Sequence, residues 1–130
     1  MSHIDMIDKI IEIVPSKYAI ATRGLTMTED IFSCHFPKFP ILPGVLMLQA
    51  VNELSERLIA KSENADNKKT TICLKEMGKV KFYKYCRPGD TLKICVKIVK
   101  KEKKKIFLSG KIERDNNKVF QVKKIIYEID

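Results

Sequence analysis

His35-Phe36-Pro37-Lys38-Phe39-Pro40-Ile41-Leu42-Pro43-Gly44-Val45-Leu46-Met47-Leu48-Gln49-Ala50 is the stretch on which the reading turns. Three prolines at intervals of three fix φ repeatedly and hold the chain in one extended path. Residues 28–44 are therefore expected to form a long, stiff loop with His35 near its middle. Gly44 then opens a helix whose first amides are unpaired and carry positive partial charge. A histidine on a stiff loop beside a helix start can act as a base next to an oxyanion donor. Equally, a histidine before Phe-Pro can be a loop residue satisfied by a backbone carbonyl.

Downstream, Val45 to Lys61 contains no Pro or Gly, and Met47, Val51, Leu54 and Leu58 follow helical spacing. The run Val45-Leu46-Met47-Leu48 is apolar all round, so the helix start is expected to be buried on every side. At about 100° per residue, Gln49 falls opposite the apolar stripe, near Asn52, Glu53 and Glu56.

Upstream, Ile4, Ile7, Ile10, Ile11 and Val14 recur at spacings of three and four, which predicts a short amphipathic helix closed by Pro15. Tyr18 to Met27 reads as a first strand. Beyond the polar connector Ser62–Asn67, strand follows strand. Thr70–Glu76 and Lys79–Cys86 are separated at Gly78, and Arg87-Pro88-Gly89-Asp90 is a turn. Thr91–Val99 alternates Leu92, Ile94, Val96 and Ile98 with Lys93, Cys95 and Lys97, as a half-buried strand does. A charged turn at Lys100–Lys105, a strand at Ile106–Arg114, a turn at Asp115–Asn117 and a strand at Lys118–Ile129 complete the pattern. One long helix and about five antiparallel strands imply an α+β fold with a sheet wrapped around the helix.

The 130 residues, 45% hydrophobic, suffice for one core, so residues 1–130 are read as a single domain. No apolar run reaches the eighteen or so residues of a membrane span. The acidic N-terminus is unlike a signal peptide, so a cytoplasmic location is expected. Cys34, Cys73, Cys86 and Cys95 form no C-x-x-C and no zinc-finger spacing with His3 or His35, which argues for reduced thiols and no metal.

Charge is uneven: residues 1–65 hold six Lys/Arg against eight Asp/Glu, and residues 66–130 hold nineteen against eight. That imbalance points to an acidic partner. Only four of the basic residues are Arg, which disfavours nucleic acid. A solvated lysine-rich sheet face is the plainer alternative.

The block from His35 through Leu46 resembles the active-site signature of the FabZ/FabA-type 3-hydroxyacyl-acyl-carrier-protein dehydratases. Lys79-Val80-Lys81-Phe82 through Arg87-Pro88-Gly89-Asp90-Thr91-Leu92 resembles that family's strand and Pro-Gly-Asp turn, and Ile13-Val14-Pro15-Ser16-Lys17-Tyr18 weakly echoes its N-terminal motif. The resemblance implies a hot-dog fold, dimerised by joining two sheets, with each active site built from both chains. It implies dehydration of a 3-hydroxyacyl thioester to a trans-2-enoyl product, with no cofactor. His35 matches the base and the Gly44 amide the donor to the thioester oxygen; Gly44, Val45, Phe36 and Phe82 would meet substrate. The phenylalanines Phe32, Phe36, Phe39 and Phe82 line an acyl tunnel or else belong to the core.

One position departs from the family: Gln49 stands where its members carry Glu or Asp. An amide orients a hydroxyl or water but cannot cycle a proton. Cys34 and Ser16 also replace the family's Gly and His. Three readings follow: a dehydratase, impaired or redirected toward hydratase or thioesterase chemistry; a non-catalytic acyl-binding or partner subunit that completes a heterodimer with a related dehydratase chain; or, on charge alone, a basic nucleic-acid or membrane-surface module. The assembly is a homodimer or a heterodimer accordingly. The implied partner is the acyl carrier protein, for which Lys79, Lys81, Lys84 and Arg87 are candidate contacts.

Overall fold

A computed structural model describes residues 6–25, 44–64 and 70–130. The strands are β1 Lys9–Val14, β2 Tyr18–Gly24, β3 Ile72–Phe82, β4 Thr91–Glu102, β5 Lys105–Arg114 and β6 Asn117–Ile129. Among the described residues there is one helix, α1 Gly44–Ser62, which lies between β2 and β3 in the chain. All six strands form one sheet in the order β1-β2-β4-β5-β6-β3, antiparallel throughout.

The first element corrects the sequence pattern. Residues 9–14 are a strand, not a helix, paired through the 15–17 turn with β2. Ile10, Ile11, Ile13 and Val14 are β-branched, and the neighbouring strand offers them a ladder that outweighs a three-and-four spacing. Ser16 takes the left-handed turn position at φ 66°, and Lys17 donates its amide to Val14 O at 2.9 Å.

β3 runs unbroken through Gly78, where the pattern expected two strands. Gly78 stays opposite Lys124 and Val80 opposite Val122, with Lys79 between them at φ 56°, and the one shift of register in this ladder falls earlier, between Leu74 and Glu76. β4 and β5 extend into the lysine-rich hairpin until only Lys103–Lys104 turns. Glu102 pairs with Lys105. The strand count among the described residues is thus six.

Helix α1 ends where Ser62 hydroxyl donates to Leu58 O at 2.7 Å and accepts the Ser16 amide at 2.6 Å. Asn64 follows in the left-handed region at φ 52°. The buried stripe comprises Leu46, Met47, Ala50, Val51, Leu54, Ser55, Leu58 and Ile59. Each fully buried aliphatic side chain contributes about 1.5–3 kcal/mol.

The helix lies on the inward side chains Ala19 and Ala21 of β2, Leu92, Ile94 and Val96 of β4, and Ile106, Leu108 and Ile112 of β5. Gly110 of β5 lies directly against Val51 of the helix. A Cβ there would stand 2.7 Å from Val51 Cγ1 and 3.3 Å from Val96 Cγ1, so the glycine lets the helix sit down on the sheet. Val45 departs from the expected all-round burial, being 68% exposed.

Candidate active site

Gly44 begins α1 against the end of β3. A Cβ on Gly44 would lie 2.5 Å from two atoms of the Phe82 ring. Phe82 in turn packs on Phe120 of β6, with ring centroids 4.9 Å apart and planes tilted by 55°. The structure therefore joins two residues expected to meet substrate, Gly44 and Phe82, across 38 positions of sequence. Val45 stands beside them with its side chain in solvent. His35 and Phe36, with Phe32 and Phe39, lie outside the described residues.

One turn along, Gln49 is half-buried on the side of α1 opposite the core stripe, as the periodicity requires. Asn52, Glu53 and Glu56 share that side and are also half-buried. Two partners that no local pattern reveals cover them. The Tyr127 hydroxyl at the end of β6 donates to Asn52 Oδ1, and Asn52 Nδ2 donates to Glu56 Oε1 at 2.9 Å. The main-chain N–H of the buried Met6 lies 3.2 Å from Glu53 Oε2 and 3.5 Å from Oε1. Burial, with the Glu56 charge adding to it, raises the Tyr127 pKa well above the usual phenol value, so this hydroxyl stays a donor.

The Pro-Gly-Asp turn is held by Asp90. Its Oδ2 accepts the Arg87 amide at 2.8 Å and Arg114 Nη1 at 3.0 Å, while the same Arg114 nitrogen donates to Tyr85 O at 2.7 Å. Gly89 takes φ 96°, which the glycine allows. Main-chain bonds from Leu25 N to Asp90 O (2.9 Å) and Gly89 N to Leu25 O (2.8 Å) stitch the turn to the end of β2. Arg114 is thus the hub of this corner, on a strand from which the sequence drew no site residue. Cys86 is buried beneath it, and burial followed by the Asp90 charge pushes its thiol up to about 11. Cys73, Cys86 and Cys95 are free thiols, and among the described residues no group of three or more His, Cys, Asp or Glu could hold a metal.

Lys79, Lys81, Lys84 and Arg87 are all exposed. A separate open trough of about 660 Å³ lies on the outer sheet face, lined by Lys17, Lys97, Lys111, Lys118 and Lys123 around Cys95. It holds none of Gly44, Val45, Gln49 or Phe82, and its lysines are partly engaged, Lys111 with Glu113 and Lys118 with Gln121. Among the described residues, Gln49, Asn52, Glu53 and Glu56 lie on the α1 face and not in this trough.

Among the described residues, a helix cradled by a six-stranded antiparallel sheet, with the motif glycine at the helix start, defines the hot-dog fold. Residues 1–123 match the model of the FabA-like domain, and the chain belongs to that family. It is 38% identical over 96 residues to the 3-hydroxyacyl-[acyl-carrier-protein] dehydratase FabZ of Pediococcus pentosaceus, covering 74% of this chain and 63% of that one. Against the enzyme of the same name from Lactiplantibacillus plantarum it is 39% identical over 93 residues, covering 72% and 62%. The chain thus spans less than two thirds of the length of these relatives. Among solved structures, the dehydratase heterocomplex ApeI:P from Xenorhabdus doucetiae superposes with a TM-score of 0.71 at 26% identity, covering 92% of this chain and 96% of that one. No helix among the described residues is long and apolar enough to cross a membrane.

Proposed function

We propose that this chain is a FabZ-like dehydratase that converts a 3-hydroxyacyl thioester on acyl carrier protein to the trans-2-enoyl thioester and water. The observation that carries this reading is the identity of 38% with a protein named for that reaction, over a segment that includes the helix start and Gln49. His35 is the base that takes the α-proton. The Gly44 amide, at the positive end of α1, donates to the thioester oxygen as negative charge builds there. Gln49 orients the 3-hydroxyl. Val45, Phe36 and Phe82 flank the acyl chain, and Lys79, Lys81, Lys84 and Arg87 face the acidic carrier.

The working unit is a dimer joined through the β3 edge. β3 ends the sheet, and Leu74, Val80 and Phe82 on it are exposed, as are Tyr83 and Tyr85 just beyond. A long apolar edge left in water is a template for another strand. The second chain also supplies cover for Val45.

A purified sample given a 3-hydroxyacyl thioester and followed by enoyl absorbance tests the reading. Turnover that disappears in His35→Ala, with the melting temperature nearly unchanged, is expected; an active His35→Ala removes the site assignment. A second reading, a subunit that works only with a related dehydratase chain, is favoured by the likeness to a dehydratase heterocomplex. Activity that appears only on adding such a chain selects it.

A further inference from the structure

The sheet has a second face, turned away from α1, and its side chains follow from the register. Ala19, Ala21, Ile94, Val96, Leu108 and Ile112 point inward to the helix. Alternation therefore turns Tyr18, Ile20, Cys95, Lys97, Ser109 and Lys111 outward. Tyr18, Lys97 and Ser109 stand side by side across β2, β4 and β5. Ile20, Cys95, Lys111 and Gln121 form the next row and reach β6. The register shift between β5 and β6 sets Lys123 beyond Ser109, so Lys97 and Lys123 flank the Ser109 hydroxyl.

These rows make the trough of about 660 Å³, with Lys17, Lys97, Lys111, Lys118 and Lys123 around it. Small-molecule sites span roughly 300–1,000 Å³. Among the described residues two acids stand near these five lysines: Glu113, 3.2 Å from Lys111, and Glu12, which accepts from the Tyr18 hydroxyl. Lys17, Lys97 and Lys123 have no ion-pair partner among the described residues. Like charges on neighbouring strands repel, and an anion seated between them relieves that cost. The floor has another character. Ile20 and the Cys95 thiol are half-buried there beside the Tyr18 ring, and burial keeps the thiol protonated and uncharged. A lysine rim over an apolar floor suits an anion that carries a flat or apolar part. No Arg is among the described residues that line the trough, which disfavours a nucleic acid, and a recess fits a small ligand better than a membrane plane.

We propose that this trough binds a nucleoside polyphosphate, its phosphates on Lys97, Ser109 and Lys123 and its base on the floor of Tyr18, Ile20 and Cys95. Lysine serves phosphate as a compact point charge, and the Ser109 hydroxyl adds a neutral donor between two of them. Lys17 and Lys111 extend the positive rim on either side of that position. The site lies on the opposite face of the sheet from α1, and it stands whether or not the chain is a dehydratase.

Calorimetric titration of the full-length protein with magnesium-free ATP at physiological salt should show one site per chain, with a Kd of about 1 mM or tighter. Inorganic tripolyphosphate should bind about fivefold more weakly or worse, because it leaves the apolar floor uncovered. Lys97→Gln/Lys123→Gln should weaken ATP about tenfold or more, as the loss of two nearby charges requires. Its melting temperature without ligand should not fall, since two repelling charges are gone. Lys103→Gln/Lys104→Gln removes the same charge at the β4–β5 turn and should leave the Kd within about twofold. ATP should also slow alkylation of Cys95, read by peptide mass spectrometry, without slowing that of the exposed Cys73 on β3. Absence of ATP binding overturns the site and returns these lysines to a solvated face. Equal weakening in the two lysine pairs makes the attraction one of net charge and overturns it as well. Tripolyphosphate that binds as tightly as ATP removes the base from the floor and the nucleotide with it. Duplex DNA or phosphatidylglycerol vesicles held through Lys97 and Lys123, where ATP is not, replace the small ligand with a larger partner and end the proposal.

Discussion

Gly44 and Phe82 are in contact so close that no Cβ fits between them: an added methyl carbon on Gly44 would stand 2.5 Å from the Phe82 ring. The first residue of α1 and the last of β3 are thereby locked in register, and the ring is backed by Phe120 at 4.9 Å. Because Phe82 is 56% exposed, its ring has a direction in which to yield.

Gly44→Ala should therefore cost about 1–3 kcal/mol, as forced overpacking does, and swing Phe82 outward. If Phe82 flanks the acyl chain as proposed, turnover should fall more than the stability loss accounts for, because the helix start moves relative to that ring. A double-mutant cycle with Phe82→Ala checks the mechanism. Gly44→Ala should cost markedly less when the ring is absent, and an additive cycle would rule the contact out as the cause.

Gly110 and Val51 make the corresponding contact between sheet and helix. Their spacing leaves 2.7 Å for a Cβ, with Val96 at 3.3 Å on the other side, and both neighbours are buried. Gly110→Ala should destabilise by about 1–3 kcal/mol. Adding Val51→Ala should recover part of that loss in denaturant unfolding, since it empties the space the new methyl needs.

How far the sequence discloses these contacts depends on the range over which each is decided. The α1 stripe and the alternation Leu92, Ile94, Val96 in β4 are local periodicities, and both stand as read. β1 is decided by pairing with β2, and a few β-branched residues at mixed spacing carry no local record of that partner. Gly78 looks like a break because glycine weakens strands, yet nine ladder pairs with β6 carry β3 through it. In the site, Gly44, Gln49 and Phe82 stand out because they sit in motifs. Arg114, Tyr127 and the Met6 amide act through bonds spanning 24 to 75 positions, which no window along the chain contains.

Arg114 is the tie that holds the Pro-Gly-Asp corner, through Asp90 Oδ2 at 3.0 Å and Tyr85 O at 2.7 Å. Both Arg114 and Asp90 side chains are three-quarters buried, so removing Arg114 takes the charged partner from Asp90 Oδ2 and leaves it the Arg87 amide. Arg114→Met should cost about 1–3 kcal/mol, the penalty for an acceptor left unsatisfied. Hydrogen exchange should quicken at the Leu25, Arg87 and Gly89 amides. Unchanged protection there would show that the corner holds without it.

Cys86 gives the fold an alkaline limit. Burial and then the Asp90 charge lift its thiol from 9.0 to about 11, so the folded state keeps the proton to higher pH than the unfolded chain does. Below about pH 9 both states are protonated and the group has no pH-dependent effect. Between about pH 9 and 11 the unfolded chain ionises first, so stability falls as pH rises, by about 2–3 kcal/mol at most. Chemical unfolding at several pH values should show this fall in wild type and a shallower one in Cys86→Ala. Parallel curves for the two would remove Cys86 as the source.

Gln49→Glu asks what position 49 contributes. Glutamine and glutamate have nearly the same shape, so the change should fit the half-buried helix face without repacking. If the present amide only orients the hydroxyl, a carboxyl there supplies a proton donor, and dehydration should rise by at least tenfold. If the chain works in a heterodimer, wild type is silent alone and active with a carboxylate-bearing partner, and Gln49→Glu makes the homodimer active without it. If the site is redirected to hydration or thioester hydrolysis through a Gln49-held water, the same substitution weakens that activity instead. Enoyl absorbance and free-thiol release, measured on wild type and Gln49→Glu with and without a partner chain, separate the three. A variant matching wild type in both assays would show that position 49 does not touch the reacting group.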